Sequence, residues 1–218
     1  MTAGHPVRFP VVALVASAGG LDAFVHVLGS LPADLPAAVL VTQHLNPFRP
    51  SQLAAILAER TALRVAEAAD GDRLVPGVAL VAPAARHLLL TPEPRIVLVD
   101  SGALPPARPS ADLLLATLAV TCGPRTLAVV LTGKGTDAQV GIRAVARCGG
   151  TVFAQDEQTS AHFGMPGAAI ATGLVGSVLS LPEIAEAIIA HVGASARPDR
   201  GLARAVGATP GNEEPPLP

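Results

Sequence analysis

Short unbroken apolar runs alternate along the chain with longer stretches in which apolar residues recur at helical spacing. A short run bounded by turn residues reads as a strand buried on both faces, and an amphipathic stretch as a helix packed on it. Val11–Ala16 is such a run, and a helix follows over Leu21–Leu28. Ala38–Thr42 predicts a second strand, and Ser51–Arg60 a helix with Ser51 as N-cap. Val78–Ala82, Leu88–Thr91 and Ile96–Asp100 predict short strands joined by turns, which suit an antiparallel extension. Ser110 leads a helix over Ala111–Thr121, Thr126–Leu131 is a strand, and Thr136–Arg147 is a helix that stops at Gly149–Gly150. Thr151–Ala154 and Val178–Ser180 predict the last strands. Pro166–Thr172, with proline at its first position, and Pro182–His191 predict the last helices. The alternation implies an α/β fold: a doubly wound, mainly parallel sheet with helices on both faces and a short antiparallel extension.

Length and composition sharpen this outline. The 218 residues suit one domain, expected over residues 10–192, after a loose arm at 1–9 and before a disordered Ala/Arg/Gly/Pro-rich tail at 193–218. Hydrophobic residues make up 50% of the chain but aromatics only 2%, so the core must pack on aliphatic side chains. So few aromatics leave no stacking platform for single-stranded nucleic acid. A net charge of −2 leaves no basic footprint for nucleic acid or anionic lipid. No apolar segment is long enough to insert in a membrane, and a cytoplasmic protein is expected. Cys122 and Cys148 form neither a metal spacing nor a disulfide framework and are expected to be buried thiols. No metal or other cofactor is expected.

In a doubly wound sheet, ligands bind beyond the carboxyl ends of the strands. Three reactive residues follow strands there: Ser17 after Val11–Ala16, His44 after Ala38–Thr42, and Asp137 after Thr126–Leu131 and the loop Thr132–Thr136. A serine hydroxyl needs a base to take its proton during attack, an imidazole can take and return it, and a carboxylate fixes the ring's tautomer. Ala18, Gly19 and Gly20 follow Ser17 and open a helix whose first amides could receive an oxyanion. Each residue alone also has a plain structural reading. Ser17 could be an N-cap, His44 a loop histidine bonded to backbone, and Asp137 an acid in the first turn of its helix. His87 is a rival base, whereas His5, His26, His162 and His191 read as structural or solvent-facing. The segment Gly133–Lys134–Gly135–Thr136 is like a phosphate loop but lacks its spacing, and Ala16–Gly20 lacks a dinucleotide fingerprint.

Taken together, the segments are more specific than any one of them. Ala-Ser-Ala-Gly-Gly at 16–20, Gln-His at 43–44, Glu-Ala-Ala-Asp-Gly-Asp at 67–72 and Val-Ala-Pro at 81–83 with His87 stand in order. Arg-Pro-Ser-Ala-Asp-Leu-Leu at 108–114, Leu-Thr-Gly-Lys-Gly-Thr-Asp at 131–137 and Gly-Gly-Thr-Val at 149–152 continue the series. Gln-Asp at 155–156, Thr-Ser at 159–160 and Gly-Met-Pro at 164–166 complete it. This ordered set resembles the catalytic domain of the chemotaxis protein-glutamate methylesterases (the CheB type) over roughly residues 10–192.

The resemblance implies hydrolysis of γ-glutamyl methyl esters on chemoreceptor helices and deamidation of receptor glutamines. Ser17 would carry the acyl group, His44 shuttle the proton and Asp137 orient His44. It also implies a methylated receptor or related protein as partner, with a separate regulatory protein, because the family's usual receiver domain is not expected here. Two positions depart from the family pattern: Ala18 where threonine commonly follows the serine, and Lys134 where methionine is common. A lysine turned into the cleft would attract acidic substrate segments; one turned outward would leave only its backbone near the oxyanion. A module without useful turnover and a hydrolase of small esters or amides are the competing readings.

Overall fold

The computed structural model describes residues 7–100, 102 and 107–195. The elements run β1 (Val11–Ala16), α1 (Gly20–Gly29), β2 (Ala38–Gln43), α2 (Leu53–Ala58), β3 (Arg64–Glu67), β4 (Val78–Val81), β5 (His87–Leu90) and β6 (Ile96–Val99). They continue with α3 (Ala111–Cys122), β7 (Thr126–Val130), α4 (Gln139–Arg147), β8 (Thr151–Gln155), α5 (Gly164–Ile170), β9 (Ser177–Leu179) and α6 (Leu181–Ser195). Seven strands form one sheet in the order β3-β4-β2-β1-β7-β8-β9. Every pairing within it is parallel.

The unbroken apolar run of β1 has a direct cause. It lies at the centre of the sheet, and all six of its residues are buried. Val11, Ala13 and Val15 enter a core with Leu114, Leu115 and Leu118 of α3 and Ile142 and Val145 of α4. Val12, Leu14 and Ala16 enter the opposite core with Phe24 and Val27 of α1, Leu57 of α2 and Ile188 of α6. Successive residues of a strand face opposite sides, so a strand covered on both faces must be apolar throughout. Truncating Leu14, fully buried, to alanine would cost about 2–5 kcal/mol.

Several boundaries differ from the sequence expectation. β4 belongs to the parallel sheet, and among the described residues the antiparallel strand pair is β5 with β6, a separate two-stranded hairpin. Leu88, Leu90 and Ile96 of that hairpin pack in the same core as α3. The sequence reading contains no β3: its Arg-Val-Ala-Glu is short, mostly exposed and charged at both ends, as edge strands often are. α5 starts two residues before Pro166; proline is tolerated in a first turn because its missing N–H would be unpaired there. Cys122 is buried and its thiol is pushed up to about 12 by burial, whereas Cys148 is only half-buried and follows α4.

Val7 is buried in the core at the end of the expected arm, and α6 runs on to Ser195. The rest of the expected arm and tail, residues 1–6 and 196–218, lies outside the described residues. Among the described residues, no helix is long and apolar enough to cross a membrane.

The strand order locates the site. From β1 the chain steps to β2 on one side, and only after β6 and α3 does it return to lay β7 on the other side of β1. The loops leaving β1 and β7 therefore part at a switch point, where the carboxyl ends of a parallel sheet open a crevice.

Candidate active site

Ser17 leaves β1 at this crevice, and its amide donates to the Thr132 carbonyl at 3.0 Å, tying the β1 loop to the β7 loop. Ala16 and Gln43 are the last registered pair of β1 and β2, so Ser17 and His44 leave the sheet side by side. The His44 amide donates back to the Ala16 carbonyl at 3.2 Å. The approach of the two loops around Ser17 needs small residues. A Cβ on Gly133 would lie 2.9 Å from the Ser17 Cβ and 2.5 Å from the Met165 Sδ. Gly19 has φ 80°, a left-handed conformation that favours glycine, and a Cβ there would stand 2.9 Å from the Ala161 Cβ.

His44 meets Asp137 directly. Its Nε2 lies 2.8 Å from the Asp137 Oδ2, with side-chain exposures of 19% and 11%. An Nε2–H given to the carboxylate leaves Nδ1 as the acceptor, the tautomer a base needs. Among the described residues, no hydrogen bond joins the Ser17 hydroxyl to His44, and such bonds often tighten only when substrate is bound.

Asp137 is not in a helix. It precedes α4, separated from it by Ala138 at φ 96°, so the first-turn role that its position suggested does not apply. It lies instead at the start of a different helix, α3. The Ala111 amide donates to its Oδ2 at 2.6 Å, the Asp112 amide to its Oδ1 at 3.0 Å, and the Ser110 hydroxyl to Oδ1 at 3.2 Å. Ser110 accepts from the Leu113 amide at 3.4 Å, so three of the first four backbone donors at the start of α3 are bound by two side chains. Burial would raise the Asp137 carboxyl, but the His44 bond and the Ala111 and Asp112 amides more than offset it. The carboxyl is held below its ordinary value and stays ionised at neutral pH.

A second group of bonds frames the Ser17 side of the crevice. Buried Gln155 accepts the Thr132 amide at 2.8 Å and donates to the Thr159 carbonyl at 2.8 Å. The Thr132 hydroxyl donates to the Ala18 carbonyl at 3.0 Å and accepts from the His162 amide at 2.9 Å. Amides near Ser17 divide into used and unused ones. Those of Ser17, Gly20 and Gly133 already donate, to the Thr132, Ser17 and His162 carbonyls. Those of Ala18, Gly19 and Lys134 donate no hydrogen bond among the described residues. The Lys134 side chain is exposed and makes no ion pair among the described residues.

His87 occupies a different place from the one its sequence position suggested. It is fully buried, and its Nδ1 accepts the Ser110 amide at 3.0 Å. Burial, then the Arg108 charge, lowers its imidazole below the ordinary histidine value, against Asp137 and Asp100. A histidine so enclosed supports the α3 start. His191 stacks edge-on against Phe153 at 5.8 Å, and His26 is exposed on α1. His5 lies outside the described residues. Thr132 and Gln155 are contributors that sequence reasoning left without a role, and Ser110 was read only as the residue leading its helix, not as a donor to Asp137. Their segments were visible as motifs, but which partner each side chain reaches is decided by tertiary structure.

The CheB methylesterase family model matches residues 12–188. The chain belongs to the CheB methylesterase family. It is similar to the protein-glutamate methylesterase/protein-glutamine glutaminase of Moorella thermoacetica, at 47% identity over 84% of this chain and 44% of that protein. It is also similar to the protein-glutamate methylesterase FrzG of Myxococcus xanthus, at 39% identity over 86% of this chain and 56% of that protein. The crystal structure of the Thermotoga maritima CheB methylesterase catalytic domain superposes with a TM-score of 0.81 at 34% identity, covering 85% of this chain and 100% of that one. The chain spans about half the length of the curated relatives it matches, and all of the CheB catalytic domain. The seven-stranded sheet and its crevice are thus the catalytic-domain fold of this family.

Proposed function

We propose that this chain is a serine hydrolase that removes methyl esters from glutamyl side chains of a protein substrate, a methylated chemoreceptor, in the cytoplasm. Ser17 is the nucleophile, His44 the base and Asp137 the group that orients it. The observation that carries the reading is the 2.8 Å bond between His44 and an ionised Asp137, at the switch point where Ser17 leaves β1.

The chemistry follows from these groups. The Ser17 oxygen attacks the ester carbonyl while its proton passes to His44 Nδ1. The imidazolium that forms is stabilised by Asp137. The oxygen of the tetrahedral intermediate is met by unused amides, those of Ala18 and Lys134. A backbone amide serves whatever side chain it carries, so neither departure from the family pattern removes a backbone donor, although Ala18 lacks the hydroxyl of the common threonine. Collapse breaks the bond to the methoxy oxygen, His44 returns the proton, and methanol leaves. Water, deprotonated by His44, then attacks the acyl-serine, and collapse releases the glutamate and Ser17. A glutamine amide passes through the same intermediate and loses ammonia, so deamidation needs no further group; two related proteins carry both activities in their names.

The test is methanol release from a methylated receptor by wild type and Ser17→Ala. Wild type is expected to release methanol, and the variant to lose nearly all turnover while keeping its fold, as nucleophile deletions do. Methanol release by folded Ser17→Ala at the wild-type rate rejects the assignment. Turnover of small esters with none of the receptor supports the small-substrate reading instead.

A further inference from the structure

We infer that Asp112 is a positioning residue for the proposed Ser17–His44–Asp137 site, acting as the second half of a reciprocal clamp between the starts of α3 and α4. The inference rests on the proposed role of Asp137 as the group that orients His44.

The clamp is visible in two sets of bonds that cross in opposite directions. Asp137, from the lead-in to α4, accepts the first amides of α3, those of Ala111 and Asp112. Asp112, from the first turn of α3, sends its own side chain the other way and accepts the Gly141 amide of α4 at 2.8 Å. Each helix therefore has unpaired N-terminal donors met by a carboxylate from the other, and each carboxylate sits at the positive end of the partner's dipole. No side chain of α4's own N-cap does this work, because that residue is alanine.

Two further observations show why the position needs holding. Ala138 joins Asp137 to α4 in a left-handed conformation, φ 96° and ψ −14°, which costs about 1–2 kcal/mol for a residue with a Cβ. That turn aims Asp137 away from its own helix and at His44, and it persists only if the start of α4 is fixed from outside. The helices also meet without slack. A Cβ on Gly141 would lie 2.5 Å from the Leu115 Cβ and 3.2 Å from the Asp112 Cα. The clamp thus joins two close-packed backbones. Its titratable and charged neighbours among the described residues are Asp137 and His44 on one side, and on the other buried His87, which accepts the Ser110 amide and feels the charges of Arg108 and Asp100. Burial raises the Asp112 carboxyl, opposed by the Gly141 amide, and the Asp137 charge adds to the rise. Asp112 does not touch substrate. It holds the turn that holds the acid that orients the base.

The experiment follows the pH dependence of labelling by a fluorophosphonate serine reagent, which requires an activated Ser17 but no receptor. Asp112→Ala leaves the Gly141 amide unpaired and frees the Ala138 turn. Labelling is expected to fall by about 10²-fold, the usual loss for a misplacement near 1 Å. The acidic limb should move to lower pH, because a displaced carboxylate stabilises the imidazolium less. Asp112→Asn keeps an acceptor for Gly141 and is expected to label within about threefold of wild type, since one retained bond of modest energy suffices. A merely structural role would lower the melting temperature of Asp112→Ala and leave the acidic limb in place. If Asp112→Ala does not fold, Asp112→Ser takes its place, being polar but too short to reach Gly141. Labelling of the variant within twofold of wild type, an unmoved acidic limb, or failure of Asp112→Asn to restore labelling each overturns the clamp. Wild-type protein that does not label at all, or that labels elsewhere than Ser17, overturns the triad reading instead.

Discussion

Asp137→Asn tests the site most sharply, because the carboxylate has four donors and an amide can accept on only one side. Oδ2 serves the Ala111 amide at 2.6 Å and His44 at 2.8 Å, while Oδ1 serves the Asp112 amide at 3.0 Å and Ser110 at 3.2 Å. If the asparagine carbonyl takes the Oδ2 side, it keeps the two shorter bonds. Its NH2 then faces the Asp112 N–H, and Ser110 can rotate to accept. Ser110 cannot repair the donor–donor contact at Asp112, which costs about 1–3 kcal/mol of stability. His44 keeps its tautomer but loses the negative charge opposite the imidazolium. Two unit charges about 4 Å apart at an effective dielectric near 20 interact by about 4 kcal/mol. The expected loss in kcat/KM is therefore about 10³-fold at about 1.4 kcal/mol per decade.

The reverse orientation sets the NH2 against the Ala111 N–H and His44. It would force the proton onto Nδ1 and block the base, at about 10⁴-fold as in other serine hydrolases. The bond lengths favour the first orientation. Methanol release gives kcat/KM, and the melting temperature reads the stability change separately. A loss smaller than tenfold in a folded variant would show that the 2.8 Å contact between His44 and Asp137 plays no part in turnover.

Two other outcomes follow from charge and burial. The Asp137 carboxyl is held below its ordinary 3.8, and burial holds His87 and His191 below 6.5. All three bind protons more readily in the unfolded chain, so their stability is full above those ordinary values and is lost as pH falls through the folded ones. A thermal melt series should show a plateau just above pH 6.5, a decline below it that the raised Asp112 carboxyl partly opposes, and a steeper loss below pH 3.8; a melting temperature unchanged from pH 7 to 3 would contradict this. Lys134 is exposed and makes no ion pair among the described residues; a lysine that gives the proposed site only its backbone amide leaves the acidic limb of Lys134→Met at the wild-type position. A shift of that limb would place the ammonium in the cleft after all.

Much of the fold was legible because it rests on local, repeated signals. The run Val-Val-Ala-Leu-Val-Ala reads as a strand covered on both faces, and β1 has the expected bounds. Ser110 was readable as a cap and binds the Leu113 amide as caps do. The misses share a physical cause. β3 has no buried face to imprint a pattern. Val78–Val81 looked like part of a meander because β5 and β6 follow it closely in sequence, yet its partners are β2 and β3, a choice made by tertiary pairing. The helical pattern before Gln139 was read through the loop because Thr-Asp-Ala contains no breaker, and only the left-handed Ala138 ends it.

The candidate site divides along the same line. That Ser17, His44 and Asp137 gather at one sheet edge follows from strand order, and residue chemistry was enough to nominate them. What holds them was not legible, since it depends on which helix start each side chain meets. An acid just before a helix is ordinarily expected to favour that helix's own dipole. Asp137 instead serves α3, and Asp112, an acid in the first turn of α3, serves α4. The exchange has a geometric reason. α3 precedes β7 and α4 follows it, so both helices start near the carboxyl edge only if the chain enters α3 there before running back to begin β7. Two helix starts at one edge put unpaired donors beside the same crevice. Carboxylates exchanged between them satisfy those donors, and one of the two, Asp137, shares its Oδ2 between the Ala111 amide and His44.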